Sequence, residues 1–461
     1  MEHGSGSGPP LGPRVVVAGT HSGVGKTTVA TGLLAALRRA GHRPAGAKVG
    51  PDFIDPGYHS LACGRPPRNL DAWMCGTDAV PALAGRAAAA ADVLVIEGVM
   101  GLFDGAGDGE PASTADVAKL LDAPVLLVVD ASALSGSVAA LVAGYAHFDP
   151  DVRVSGVVLN RVGSDGHEIL LREALAPLGI PVVGALRRDD QLTWRDRHLG
   201  LVPVVERADE VGRALDRLAT AIGERIDLEA VLGLAREATP LAVGSVALPG
   251  RVGPEGTTVP VAVAAGAAFS FTYADTLDAL VAAGIEPMAF DPRHDPALPD
   301  GACGLLAGGG FPEVHGDDLS ANHRLLDQLR QLAGAGLPIW AECGGLLWLC
   351  RSLDGVPMAG LLPAEARMTD RLTLGYRTAR AATTSPVAQA GAGLRGHEFH
   401  YSAVEPAGSA LELSARWGTR TDGFATPTLL ATYLHVHPGG DPAPVERFAR
   451  ACVAFRGAAT S

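Results

Sequence analysis

Residues 15–28 read VVVAGTHSGVGKTT. A Val-rich run ending in Gly is a buried strand, the stretch from Thr20 to Gly25 is a Gly-containing turn, and an apolar-periodic helix opens at about Thr27. A loop of this kind turns its backbone N–H groups inward, and the helix behind it adds partial positive charge. Together they form a cradle for phosphate oxygens. Gly23, Val24, Gly25, Lys26, Thr27 and Thr28 are the expected nucleotide contacts, with Lys26 on the outer phosphates and the Thr27 hydroxyl on Mg²⁺. The usual spacing places Gly at position 20, where this chain has Thr20; the strand before and the helix after carry the reading.

Working outward, the runs RVVVAG, DVLVIEG, APVLLVVD, VSGVVLN and PVVGAL alternate with helical stretches at residues 27–39, 114–121, 135–146 and 168–178. Near-continuous apolar strands between helices predict a parallel sheet covered on both faces. Residues 205–237 are helical and charged. The Gly- and Pro-rich residues 241–259 are the candidate linker. A second α/β series then runs over 260–455 through VAVAAG, GLLAGGG, PIWAECGG and LLATYLH, with helices near residues 276–283 and 319–333. The predicted organisation is a disordered tail (1–13), a first α/β domain (14–240), the linker and a second α/β domain of different motifs.

Composition narrows the function. The 461 residues carry a net charge of −13 and no basic run, which argues against a positive nucleic-acid-binding surface. No apolar run approaches the ~20 residues that span a bilayer, and MEHGSGSGPPLGPR does not read as a signal peptide. Six cysteines without a CxxC pair or metal spacing fit a reduced, cytoplasmic protein. Of 37 basic residues only Lys26, Lys48 and Lys119 are lysines. Lys119 lies mid-helix in STADVAKLLDAP and reads as a solvated side chain.

In the second half, LPIWAECGGLLWLC (337–350) is a strand running into a Gly-rich turn and an apolar helix. A thiol at such a turn stands clear of the sheet, and a helix N-terminus lowers its pKa, so Cys343 is the expected nucleophile. Cys350 falls in the core. LLATYLHVHP (429–438) supplies His435 as the distant base, with His437 two residues on. LLAGGGFPEVH (305–315) supplies backbone N–H groups at Gly309 and Gly310 which, with Gly344, are expected to hold an oxyanion.

These residues carry resemblances. The loop, with AKVGPDFIDPGYHS, NLDAWM and VIEGVMGLFDG, resembles the dethiobiotin-synthetase-like branch of P-loop ATPases. That resemblance implies Lys48 on the phosphates and Thr27, Asp71 and Glu97 on Mg²⁺, with Asn160 of LNRVG reading the adenine. The second half resembles class I glutamine amidotransferases. Their usual Glu two residues beyond the His is replaced here by His437, as in the cobalamin-pathway subgroup, so the group orienting His435 is left open. GPDFIDPGYH, NLDAWM, RHLGLV, AFSFTYADTL, GGGFPEVH, AECGGLLWL and GHEFHYS together resemble the cobyrinic and hydrogenobyrinic acid a,c-diamide synthase family.

That family implies ATP-dependent amidation of two corrin carboxylates with ammonia from glutamine. Asp52, Asp55 and Asp104 would order the corrinoid substrate. His397, Glu398 and His400 of GHEFHYS lack HExxH spacing and are assigned to a corrin-facing or interdomain surface rather than to a metal. The oligomeric state, a homodimer included, and the presence of cobalt in the ring are not legible. Neighbouring readings are a cobyric acid synthase, a nickel-sirohydrochlorin enzyme, a MinD-like switch ATPase and a free-standing glutaminase. The fused glutaminase and intact Lys26, Thr27 and Glu97 weigh against the last two.

Overall fold

The computed structural model describes residues 10–66, 68–107, 109–188, 208–416 and 418–459. RHLGLV (197–202) lies outside them. The chain divides into two compact units, 1–246 and 247–461.

In the first unit β1 (Arg14–Gly19), β2 (Pro44–Val49), β3 (Arg68–Leu70), β4 (Val93–Glu97), β5 (Val125–Asp130), β6 (Val154–Val162) and β7 (Val182–Arg187) form a sheet in the order β3-β2-β4-β1-β5-β6-β7. Every pairing is parallel. β1, β2 and β4 are buried at every position, which is why they read as unbroken apolar runs rather than as alternating ones. Helix Lys26–Arg39 follows β1, and the charged stretch resolves into helices Ala208–Arg225 and Leu228–Arg236.

Part of the expected tail is folded. Leu11 is buried and pairs with Leu241, and the buried Arg14 guanidinium donates to the carbonyls of Gly12 (2.8 Å), Leu121 (2.6 Å) and Thr239 (2.7 Å). The expected linker is likewise partly folded. Val243 is buried in the first unit, and Val252 in the second, where its N–H donates to Ala283 O.

The second unit holds two sheets. β8 (Val259–Ala264), β9 (Ile285–Phe290), β10 (Leu305–Ala307) and β11 (Ile339–Glu342) are parallel and belong to the first. The second comprises β12 (Ser352–Leu353), β13 (Val356–Pro357), β14 (Glu365–Ala381), β15 (Gly393–Glu405), β16 (Leu411–Ala415) and β17 (Gly418–Asp422). β18 (Phe424–Thr426) and β19 (Leu429–Thr432) return the chain to the first sheet, in the order β18-β19-β11-β10-β8-β9. β20 (His435–Val436) then joins β15. The antiparallel sheet built on β14 and β15 was not among the predicted elements.

Two registers position the chemistry. Glu342 pairs with Thr432 across β11 and β19, and Cys343 N–H donates to Thr432 O at 2.8 Å, so Cys343 leaves the sheet beside the segment leading to His435. His397 pairs with His435 across β15 and β20.

Candidate functional sites

In the first unit the turn after β1 is shaped by Gly23 (φ 77°) and Gly25 (φ 101°), a left-handed backbone that glycine adopts at little cost. Gly25 caps helix Lys26–Arg39 without a side-chain acceptor, so the first-turn N–H groups face the loop. Lys26 Nζ folds back to His21 O (3.2 Å) and Met100 O (2.5 Å). Burial, and then the charge of Lys48, bring its ammonium down to about 8.

Glu97 ends β4 at the centre of a buried cluster. Oε1 accepts from Thr27 Oγ1 (2.7 Å) and Lys48 Nζ (2.8 Å), and Oε2 meets His59 Nε2 at 2.6 Å. Burial alone would raise this carboxyl, but Lys48 and His59 overcome it and hold Glu97 well below the usual carboxylate range. Lys48 also donates to Asp55 Oδ2 (2.5 Å) and Gly98 O (3.1 Å). Thr27, Lys48, Asp55 and Glu97 therefore converge.

The other expected residues are engaged locally. Asp71 accepts Met74 N–H at 2.7 Å, capping helix Ala72–Cys75. Asp52 accepts Ile54 N–H at 2.7 Å, and the exposed Asp104 accepts Gly101 N–H at 2.7 Å. Asn160 donates Nδ2 to Val24 O (2.8 Å) and Arg161 donates to Gly23 O (2.9 Å), so the end of β6 braces the loop. The Asn160 amide is thus turned onto the loop itself. Lys119, on helix Thr114–Leu120, pairs at 2.8 Å with Asp149 beyond the next helix, a partly exposed ion pair.

His59 was missed at the sequence level. It sits four residues after Asp55 on helix Ile54–Cys63, a spacing that puts both on one helix face.

In the second unit Cys343 occupies φ 48°, ψ −101° at the junction of β11 with helix Gly344–Leu349. Such a backbone is strained for a residue with a side chain and fits a nucleophile held at a sharp turn. The thiol is buried. Desolvation, then the charge of Glu313, push its pKa up, against a hydrogen bond from Gly344 N–H. The lowered thiol pKa expected from the helix end is overturned, because that helix spans six residues and burial dominates.

The open question of what orients His435 has an answer. Glu342 Oε2 lies 3.1 Å from His435 Nδ1, while its Oε1 accepts from Trp340 Nε1 at 3.0 Å. Glu342 directly precedes the nucleophile and lies on the same strand face as Trp340. His437 is turned elsewhere, stacking on Tyr273 with ring centroids 4.6 Å apart.

The oxyanion donors also need correction. Gly309 N–H is spent on Phe271 O (3.0 Å), which leaves Gly310 and Gly344 as candidate donors. Gly309 matters for space instead. A Cβ there would lie 2.7 Å from His435 Cε1, and one on Gly344 would lie 2.9 Å from Gly310 N. The Gly309 loop therefore closes on the histidine, and the Gly344 turn closes on that loop.

His397, Glu398 and His400 are all buried. His397 stacks on His435 with centroids 5.1 Å apart, and burial, with His435 and Arg377 nearby, pushes its pKa well down. Glu398 accepts from Arg377 Nε at 2.7 Å and from Arg420. Burial raises it, but His400 and Arg420 bring it down to about 2.

A phosphate-binding loop on one α/β unit and a Cys–His–Glu centre on the other define a nucleotide-dependent enzyme fused to a glutamine amidotransferase. Residues 15–202 match the family described as CobQ/CobB/MinD/ParA nucleotide binding domain, and residues 260–443 match the CobB/CobQ-like glutamine amidotransferase domain. The chain is 49% identical to hydrogenobyrinate a,c-diamide synthase of Streptomyces coelicolor, covering 95% of this chain and 97% of that one. It is 48% identical to the Thermobifida fusca protein of the same name (95% and 96% covered) and 44% identical to cobyrinate a,c-diamide synthase of Syntrophotalea carbinolica (95% and 98%). The chain belongs to this family of glutamine-dependent a,c-diamide synthases.

Proposed function

We propose that the protein amidates the a and c side-chain carboxylates of hydrogenobyrinate or cobyrinate in turn, using ATP and ammonia from glutamine. The observation that carries this is the pairing, in one chain, of the Lys26 loop with the Cys343–His435–Glu342 centre. Identity is higher to relatives named for hydrogenobyrinate (46–49%) than to those named for cobyrinate (41–44%), which favours the cobalt-free ring.

Carboxylate and ammonia do not condense at neutral pH, because the carboxylate oxygen is a poor leaving group. Transfer of the ATP γ-phosphoryl group to that oxygen gives an acyl phosphate, which ammonia attacks as phosphate departs. Lys26 and the N–H groups at 23–28 hold the phosphates. Thr27 Oγ1 and Glu97 Oε1 lie side by side as hard oxygen donors and would hold Mg²⁺. When bound, the ion neutralises phosphate charge. Lys48 holds Glu97 and Asp55 in place beside that site.

In the second unit His435 accepts the thiol proton as Cys343 Sγ attacks the glutamine amide carbon. Glu342 fixes the His435 tautomer and balances the imidazolium charge. Gly310 and Gly344 N–H groups receive the oxyanion, His435 returns the proton to the departing nitrogen, and water releases glutamate from the thioester. The raised thiol pKa keeps Cys343 protonated until His435 takes the proton. Six free, buried cysteines support a reducing compartment, the cytoplasm. Among the described residues no helix is long and apolar enough to cross a membrane.

Incubation with hydrogenobyrinate or cobyrinate, ATP, Mg²⁺ and amide-¹⁵N glutamine tests the reading. Two labelled amidations per ring are expected, and unchanged ring mass would reject it.

A further inference from the structure

We propose that Met100, Phe103, Tyr145 and Phe148 form the platform on which the macrocycle of the substrate lies while one of its carboxylates meets the phosphates held by Lys26. This rests on the amidation reading above and names an apolar surface for the ring, which Asp52, Asp55 and Asp104 do not supply.

The loop after β4 carries one side of the platform. Leu102 is buried, and its N–H donates to Gly19 O at 2.9 Å, which ties the loop to the end of β1. Met100 and Phe103 flank it at the surface, Met100 40% exposed and Phe103 half-buried. Phe103 lies between two rings from helix Ser137–His147 and its C-terminal cap. It stacks on Tyr145 with centroids 5.8 Å apart and meets Phe148 at 4.7 Å. Phe148 is 73% exposed.

The platform joins the phosphate loop at two points. The Tyr145 hydroxyl donates to Thr20 O, and Met100 O accepts from Lys26 Nζ at 2.5 Å. Met100 holds φ 48°, a left-handed backbone that costs energy in a residue with a side chain. That turn keeps its carbonyl on Lys26 while the residue stays at the surface.

Three aromatic rings in contact, partly open to water, mark a surface that a ligand or partner covers. Position selects the ligand. A carboxylate that takes the γ-phosphoryl group must come to the Lys26 end of the loop, so the rest of its molecule lies on what borders that end. The border is aromatic and apolar, which suits the flat conjugated face of a macrocycle. A small polar acid would leave the rings wet.

The test measures binding of hydrogenobyrinate by equilibrium dialysis, and its KM in synthesis, in wild type and in Phe148→Ser. The variant should weaken ring binding and raise the ring KM about 10- to 100-fold, as expected when burial of a phenylalanine is lost. The KM for ATP should change little. Ile169→Ser, at a 56% exposed position on helix Asp165–Leu175, should leave ring binding unchanged. Unchanged ring affinity in Phe148→Ser, or an equal loss in Ile169→Ser, would overturn the proposal. So would loss of self-association in Phe148→Ser at unchanged ring affinity, which would give the patch to a second copy of the chain. If Phe148→Ser does not fold, Met100→Ser decides on the same terms. A wild type that neither bound nor amidated the ring would instead overturn the amidation reading, and this inference with it.

Discussion

Glu342 and His435 meet at 3.1 Å across two neighbouring strand ends, 93 residues apart in sequence. The carboxylate that orients the base is thus the residue directly before the nucleophile, and the register of Glu342 with Thr432 is what delivers it.

Glu342→Gln should keep the packing but offer His435 the wrong hydrogen-bond partner. Glutamine-dependent kcat is expected to fall by about 10³- to 10⁴-fold, the scale seen when the orienting carboxylate of a catalytic triad becomes an amide. Ammonia-dependent synthesis should persist. Steady-state assays with both nitrogen sources check this, and a loss under tenfold would remove Glu342 from the machinery.

Gly309→Ala places a methyl 2.7 Å from His435 Cε1, so the ring must move. A displacement of about 1 Å at a reacting group costs on the order of 10²-fold. Glutaminase activity should drop by that factor, with ammonia-dependent synthesis retained. Full activity with both nitrogen sources would show that the ring has room to spare.

The Cys343 thiol lies above its ordinary pKa, so its reactive thiolate is scarce at pH 7. In the absence of glutamine, alkylation by iodoacetamide should be slow and should accelerate about tenfold per pH unit through the alkaline range. Mass spectrometry of the Cys343 peptide follows the rate. A plateau near pH 7 would mean a preformed thiolate.

Lys48→Met removes the cation that holds Glu97 and Asp55. Breaking a buried pair costs about 3–5 kcal/mol, so the first unit should unfold at lower temperature. Synthesis should fail with glutamine and with ammonia alike. Calorimetry and activity together test it, and an unshifted transition would contradict the buried cluster.

The sheet of the first unit was legible because its strands are buried throughout and read as continuous Val-rich runs. β14 was not. Its 17 residues mix buried and exposed positions with Arg and Thr, and its register with β15 shifts between Met368 and Thr373, which erases a period of two. Cys343 and His435 were legible from their turns. Glu342 was hidden in plain order, because strand pairing brings it to the histidine and no local spacing records that pairing. The pairing of His397 with His435 was not legible, since only the β15–β20 register brings the two together. Asp71 and Asn160 were singled out only through the resemblance, and their hydrogen bonds with Met74 and Val24 depend on folded geometry.

The most direct measurement is the mass of the ring product made from hydrogenobyrinate by three proteins, each offered glutamine or free ammonia at raised pH. Wild type should give the diamide from either source, Cys343→Ala from ammonia alone, and Lys26→Ala from neither. Diamide formed by Cys343→Ala with glutamine, or by Lys26→Ala with ammonia, would contradict the division of labour between the two units.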